Sequence, residues 1–81
     1  MKTLQIWSAI WCSPCSAMKM QMNNLELPVD EVLNIDVDEC SEEAREAVIR
    51  GVPTLILLED GVEVKRVTGF QGPAKLVEFC S

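Results

Sequence analysis

Two cysteines three residues apart, set between an apolar run and an amphipathic pattern, constrain this chain most: Trp11-Cys12-Ser13-Pro14-Cys15. Leu4 to Ile10 is nearly all apolar and predicts a buried central strand, covered on both faces. Ser16 to Leu25 predicts a helix, with Cys15, Met18, Met22 and Leu25 on one face and Met20 on the other. The thiols therefore sit at a strand-to-helix turn, with Cys12 at the helix start. First-turn N–H groups lack helical partners, and the macrodipole is positive there. A thiolate so placed is stabilised, and in Cys-x-x-Cys sites its pKa falls to about 7 or below. Cys15, one turn on, is within reach of Cys12, so the pair can open and close a disulfide. Pro14 stiffens the turn and brings no N–H to compete. Half of a zinc site is the competing reading, and it needs two more ligands. The chain has no histidine, and Cys40 and Cys80 are far apart in sequence. Redox chemistry is thus expected, and no metal.

The length of 81 residues fits one domain spanning 1–81. A net charge of −6 argues against nucleic acid, which demands a basic face. It also disfavours anionic membranes, and no apolar run approaches the ~20 residues of a span. Met1-Lys2-Thr3-Leu4-Gln5 turns polar at once, unlike a signal peptide, so a cytoplasmic location is expected. In that compartment four cysteines suggest redox or metal chemistry, not a disulfide scaffold.

Val32 to Val37 predicts a second strand, parallel to the first through a right-handed crossover. Asp38 or Ser41 is expected to cap a second helix, with Ala44, Ala47 and Val48 as its apolar stripe and Gly51 as its stop. The acidic run Asp36 to Glu46 reads as a solvated face. Leu55 to Leu58 is a third strand, Asp60-Gly61 a hairpin turn, and Val62 to Val67 an edge strand bearing Lys65-Arg66. Pro73 suits the first position of a last helix whose stripe is Leu76, Phe79 and Cys80. The expected fold is α/β, in the order β-α-β-α-β-β-α. Its four-stranded mixed sheet is ordered 2-1-3-4, with the first and last helices on one face and the second on the other. Cys40 then falls at the pole of the active-site turn and Cys80 towards the opposite pole. Cys80 is expected as apolar filler. Cys40 is expected as an ordinary cap-region thiol, with a regulatory thiol of favoured thiolate as the alternative.

With these elements in place the chain resembles the thioredoxin family. Trp11-Cys12-Ser13-Pro14-Cys15 matches its active-site run, with Ser13 where Gly is usual. Leu33-Asn34-Ile35-Asp36, Gly51-Val52-Pro53-Thr54, Asp60-Gly61 and Thr68-Gly69 fall in the family's order. The resemblance implies a thioredoxin-like fold, Cys12 as the attacking thiol, Cys15 as the resolving thiol and a cis Val52–Pro53 bond facing the disulfide. It further implies a docking surface of Trp11, Ser13, Pro14, Val52, Pro53, Gly69 and Phe70. No cofactor would be bound, since the Cys12–Cys15 disulfide carries the electrons. The family's extra N-terminal strand and helix have no counterpart in the sequence, so the minimal, glutaredoxin-sized architecture is expected. Ile6 stands where thioredoxins bury an Asp, Val32 where its Lys partner lies, and Ser8 where a Trp is usual.

A thioredoxin-like reductant would be a monomer that reduces protein disulfides such as that of ribonucleotide reductase. A thioredoxin reductase-like, NADPH-linked flavoenzyme would recharge it. The alternatives are a glutaredoxin recycled by glutathione and a redox-inactive binding module. Against the first, Gly69-Phe70-Gln71-Gly72 lacks the Gly-Gly-x-Asp-like turn that holds glutathione.

Overall fold

β1 (Lys2–Ser8) is the strand on which the molecule is built, in a computed structural model that describes residues 1–81. Its side chains alternate between two layers. Leu4 and Ile6 point one way, into a cluster with Met18, Leu55, Leu76 and Cys80. Trp7 points the other way and packs with Ala44 and Ile56. Full burial of each such Leu or Ile contributes about 1.5–3 kcal/mol, so this strand holds both layers to the sheet.

The remaining elements are α1 (Ser13–Met22), β2 (Glu31–Asp36), α2 (Ser41–Glu46), β3 (Thr54–Glu59), β4 (Val62–Thr68) and α3 (Pro73–Cys80). The sheet order is β2-β1-β3-β4, with β1 and β2 parallel and the other pairs antiparallel. The clusters put α1 and α3 on one face and α2 on the other, as the apolar stripes require. Asp60 and Gly61 turn the β3–β4 hairpin with φ of 52° and 83°, the left-handed pair that matches strand twist. β4 is an exposed edge, and the Arg66 Nε and Nη2 donate to the two Glu63 carboxylate oxygens at 2.9 and 2.7 Å. No helix is long and apolar enough to cross a membrane.

Strand limits differ from the sequence reading by one or two residues, and three boundaries around the site matter more. α1 starts at Ser13, not Ser16, because Cys12 serves as its N-cap and Pro14 fits the first turn. It ends at Met22, yet Met22 and Leu25 still pack on the core. β1 stops at Ser8, so Ile10 is not a strand residue; it is 89 % exposed.

α2 is shorter than its pattern suggests. Its N-cap is Cys40, not Asp38 or Ser41, and its C-cap is Ala47. The Ile49 N–H donates to Ala44 O at 2.9 Å and the Val48 N–H to Arg45 O at 3.1 Å. These are the two bonds of a Schellman motif, whose left-handed residue is usually glycine. Here it is Val48, at φ 57°. Val48 is exposed and off the stripe, and Gly51 is not the helix stop.

Candidate active site

β1 ends in the buried residues Trp7 and Ser8, and Ala9 just after it is buried too. The Cys12 N–H then donates to Ala9 O at 3.1 Å, closing a turn over residues 9–12. Ala9 and Cys12 are buried at its base, while Ile10 and Trp11 stand out at its tip. Cys12 has extended backbone (φ −94°, ψ 105°), and its carbonyl accepts the Ser16 N–H at 3.2 Å. Its Sγ accepts the Cys15 backbone N–H at 3.3 Å, so the sulfur occupies the place of a capping oxygen.

Cys12 and Cys15 are joined as a disulfide, with Cα atoms 5.3 Å apart. Cys15 is 1 % exposed and Cys12 5 %. Ala9, Val37 and Val52 pack around the two sulfurs, so the surroundings are apolar. The Val52–Pro53 bond is cis and Pro53 is fully buried. The Gly69 N–H donates to Pro53 O at 2.8 Å, which ties the β4–α3 turn to this loop. Gly69 has φ 106°, a conformation a side chain would strain, and Phe70 after it is half exposed. The largest concavity, about 390 Å³, lies along α1, the Leu25–Val29 segment and β2, with none of these residues in its wall. The disulfide therefore faces a surface, not a pocket.

Two carboxylates order the neighbouring turn. Asp36 Oδ1 accepts the N–H groups of Asp38 (2.7 Å) and Glu39 (3.1 Å). Asp38 Oδ2 then accepts the Trp11 indole N–H at 2.8 Å. No Asp, Glu, Lys or Arg is buried anywhere in the chain; the buried polar residues are Thr3, Ser8 and Thr54. Ile6 sits in the α1–α3 face of the core.

The remaining thiols differ from this pair. Cys80 is fully buried with Leu4 and Leu76, and burial raises its pKa above the ordinary thiol range. Cys40 is half-buried at the start of α2. Burial first, then Glu43 by hydrogen bond and charge, then the charges of Glu39 and Asp36, push its thiol up. A favoured thiolate at Cys40 is thereby corrected: burial first, and then the neighbouring carboxylates, hold it in the neutral form. Both cysteines are free.

The thioredoxin family model matches residues 2–81, nearly the whole chain. The chain belongs to the thioredoxin family. It is 35% identical over 75 residues to thioredoxin of Chlamydia trachomatis, covering 90% of this chain and 74% of that one. Against thioredoxin of Staphylococcus haemolyticus the identity is 35% over 80 residues, covering 95% and 76%. Among solved structures, an N21Q mutant thioredoxin from Halobacterium salinarum superposes with a TM-score of 0.87 at 36% identity, over 98% of this chain and 71% of that one. Fasciola hepatica thioredoxin gives 0.87 at 31% identity, over 98% and 77%. The chain is thus a thiol-disulfide oxidoreductase of the thioredoxin type, and the glutaredoxin alternative gives way.

Of the residues named from sequence, Cys12, Cys15 and Val52 come together in one cluster. Trp11, Ser13 and Pro14 are exposed beside it. Pro53 follows Val52, and Gly69 joins them through its hydrogen bond, with Phe70 at the rim. Three site residues escaped the sequence reading. Ile10 was hidden by the apolar run before it. Asp36 and Asp38 fall in a run that reads as a solvated face, with Asp38 also a cap candidate and Asp36 part of a family run, although an Asp closing a strand is a signal for just such a side-chain turn.

Proposed function

We propose that this thioredoxin is a reductant of protein disulfides in which Cys12 attacks and Cys15 resolves. One observation carries the assignment: Cys12 Sγ already receives the Cys15 N–H at the start of α1, while Cys15 lies deeper. The same donor and the helix end stabilise a Cys12 thiolate once the pair is reduced. That thiolate attacks one sulfur of a client disulfide. A mixed disulfide forms, and the client's other sulfur leaves as a thiolate that takes a proton from water. Cys15 then loses its proton and attacks Cys12 Sγ. The Cys12–Cys15 bond closes and the second client thiolate departs. Two electrons have passed to the client, and no bound cofactor enters the cycle. With no acid or base buried nearby, water is the proton acceptor for Cys15.

The client lies against Trp11, Ser13, Pro14, Val52, Pro53, Gly69 and Phe70. Return to the dithiol needs a reductant, here a thioredoxin reductase-like flavoenzyme drawing on NADPH. Clients are disulfide-forming enzymes of the ribonucleotide reductase kind. The free thiols Cys40 and Cys80 suit a monomer working in the reducing cytoplasm.

The test is trapping. Cys15→Ser accumulates a client adduct through Cys12, and Cys12→Ser accumulates none. An adduct at Cys15 in the Cys12→Ser protein, with none in the converse variant, reverses the roles. An equilibrium potential near about −270 mV supports the reductant, and one near about −200 mV opposes it.

A further inference from the structure

Ile10 is the most exposed large apolar side chain of the molecule, at 89 %, and Trp11 beside it is 66 % exposed. They occupy the two central positions of the turn closed by the Cys12 N–H and Ala9 O. Turn centres favour Gly, Pro, Asn, Asp and Ser, and a β-branched residue gains nothing there locally. Nothing in the fold uses the Ile10 side chain either, since it belongs to none of the three buried clusters. Single exposed apolar residues are ordinary on protein surfaces. This one adjoins an exposed indole two positions from the sulfur that clients must reach. The Trp11 bond to Asp38 ties this turn to the β2 side of β1, whereas the Val52–Pro53 loop leads into β3 on the other side.

The same flank has a charge. From Asp36, at the end of β2, to Glu43, in the first turn of α2, the chain contains five acidic residues and no base. None of the five is in an ion pair: the molecule's two pairs are Met1–Asp60 and Glu63–Arg66. The nearest to the turn is Asp38, whose carboxylate holds the Trp11 indole.

We propose that Ile10 is a specificity-determining contact, selecting client segments with an apolar side chain beside the reacting cysteine and a Lys or Arg beyond it. This rests on the dithiol cycle above. The apolar side chain covers Ile10, and the basic group meets the Asp38 side of the turn. Covering most of an Ile side chain is worth about tenfold in kcat/KM. The charge contributes less and is screened by salt.

The experiment uses the full chain with three disulfide peptides (Leu-Cys with Lys, Ser-Cys with Lys, Leu-Cys with Glu) and a small aliphatic disulfide. The readout is kcat/KM for each peptide divided by that for the small disulfide. For the wild type, Leu with Lys ranks first, above Leu with Glu by about threefold at low salt. Ile10→Ser lowers the Leu-peptide ratio about tenfold and the Ser-peptide ratio little, and Ile10→Leu restores it. An unchanged ratio in Ile10→Ser, or an equal fall for Leu and Ser peptides, overturns the proposal. So does a wild-type preference for Glu over Lys. A wild-type chain inert towards all four substrates instead sinks the dithiol cycle itself.

Discussion

Cys12 and Cys40 occupy the same kind of place, and only one is built for exchange. Each is the N-cap of a helix that follows one of the two parallel strands. At Cys12 the sulfur accepts a backbone N–H, the first turn of α1 holds no acidic residue, and the packing is apolar. At Cys40 the side chain caps nothing, the first turn of α2 carries Glu42 and Glu43, and Glu39 and Asp36 lie near. A helix start alone therefore does not make a reactive thiol. A donor aimed at sulfur and the absence of neighbouring negative charge distinguish the Cys12 site from the Cys40 site.

The largest expected effect is in the pH dependence of alkylation of the reduced protein. Cys12 should reach half its maximal rate near pH 7 or below, as Cys-x-x-Cys thiols do. Cys40, its pKa raised, should do so only above about 8.5. Peptide mass spectrometry across pH 5–10, an interval of about those values, separates the two; coincident curves would break the comparison. The sign for stability follows. Cys40 and Cys80 both have raised pKa values in the folded state, so their contribution is full below about 8.5 and is lost as pH climbs past the folded value.

A second test concerns how the two helices end. α1 closes on Asn23 in right-handed conformation, whereas α2 forces Val48 left-handed. Val48→Gly should stabilise the protein by about 1 kcal/mol, raising Tm by about 4–8 °C. Arg66 Nη1 donates to Val48 O at 3.2 Å, so the loop keeps its anchor in the variant. A loss of stability in thermal melts would mean the Val48 side chain holds the loop in some other way.

The smallest effect sharpens the electrostatics. Glu43→Gln should lower the Cys40 alkylation midpoint part of the way, because burial, the first cause of its rise, remains. No change would leave burial and the charges of Glu39 and Asp36 as the explanation.

The strand order was legible because its signals are local and strong. Continuous apolar runs marked β1 and β3, Asp60-Gly61 fixed the hairpin, and Pro73 fixed the start of α3. The sulfur pair was legible for the same reason. What escaped depended on tertiary context. Ile10 continues an apolar run, and only the bond from the Cys12 N–H to Ala9 O reveals that the chain has already turned outward. Val48 fits a helical stripe, but Ile49 packing back towards Ala44 ends the helix before it. Asp38 looks like any surface acid until Trp11 is folded against it.

The absence of interior charge has a consequence for how the molecule meets acid. Acid unfolds proteins by discharging paired carboxylates or charging buried histidines. This chain has no histidine and buries no carboxylate. Asp60 and Glu63 are held below the ordinary carboxylate range, by the N-terminal ammonium and by Arg66. Their contribution is present above about pH 4 and lost below it, but both are exposed and such pairs matter little. Falling pH therefore removes the net charge of −6, and with it the repulsion between molecules, before it removes the fold. The protein should leave solution folded and redissolve on neutralisation, so that an acid step concentrates it without denaturing it.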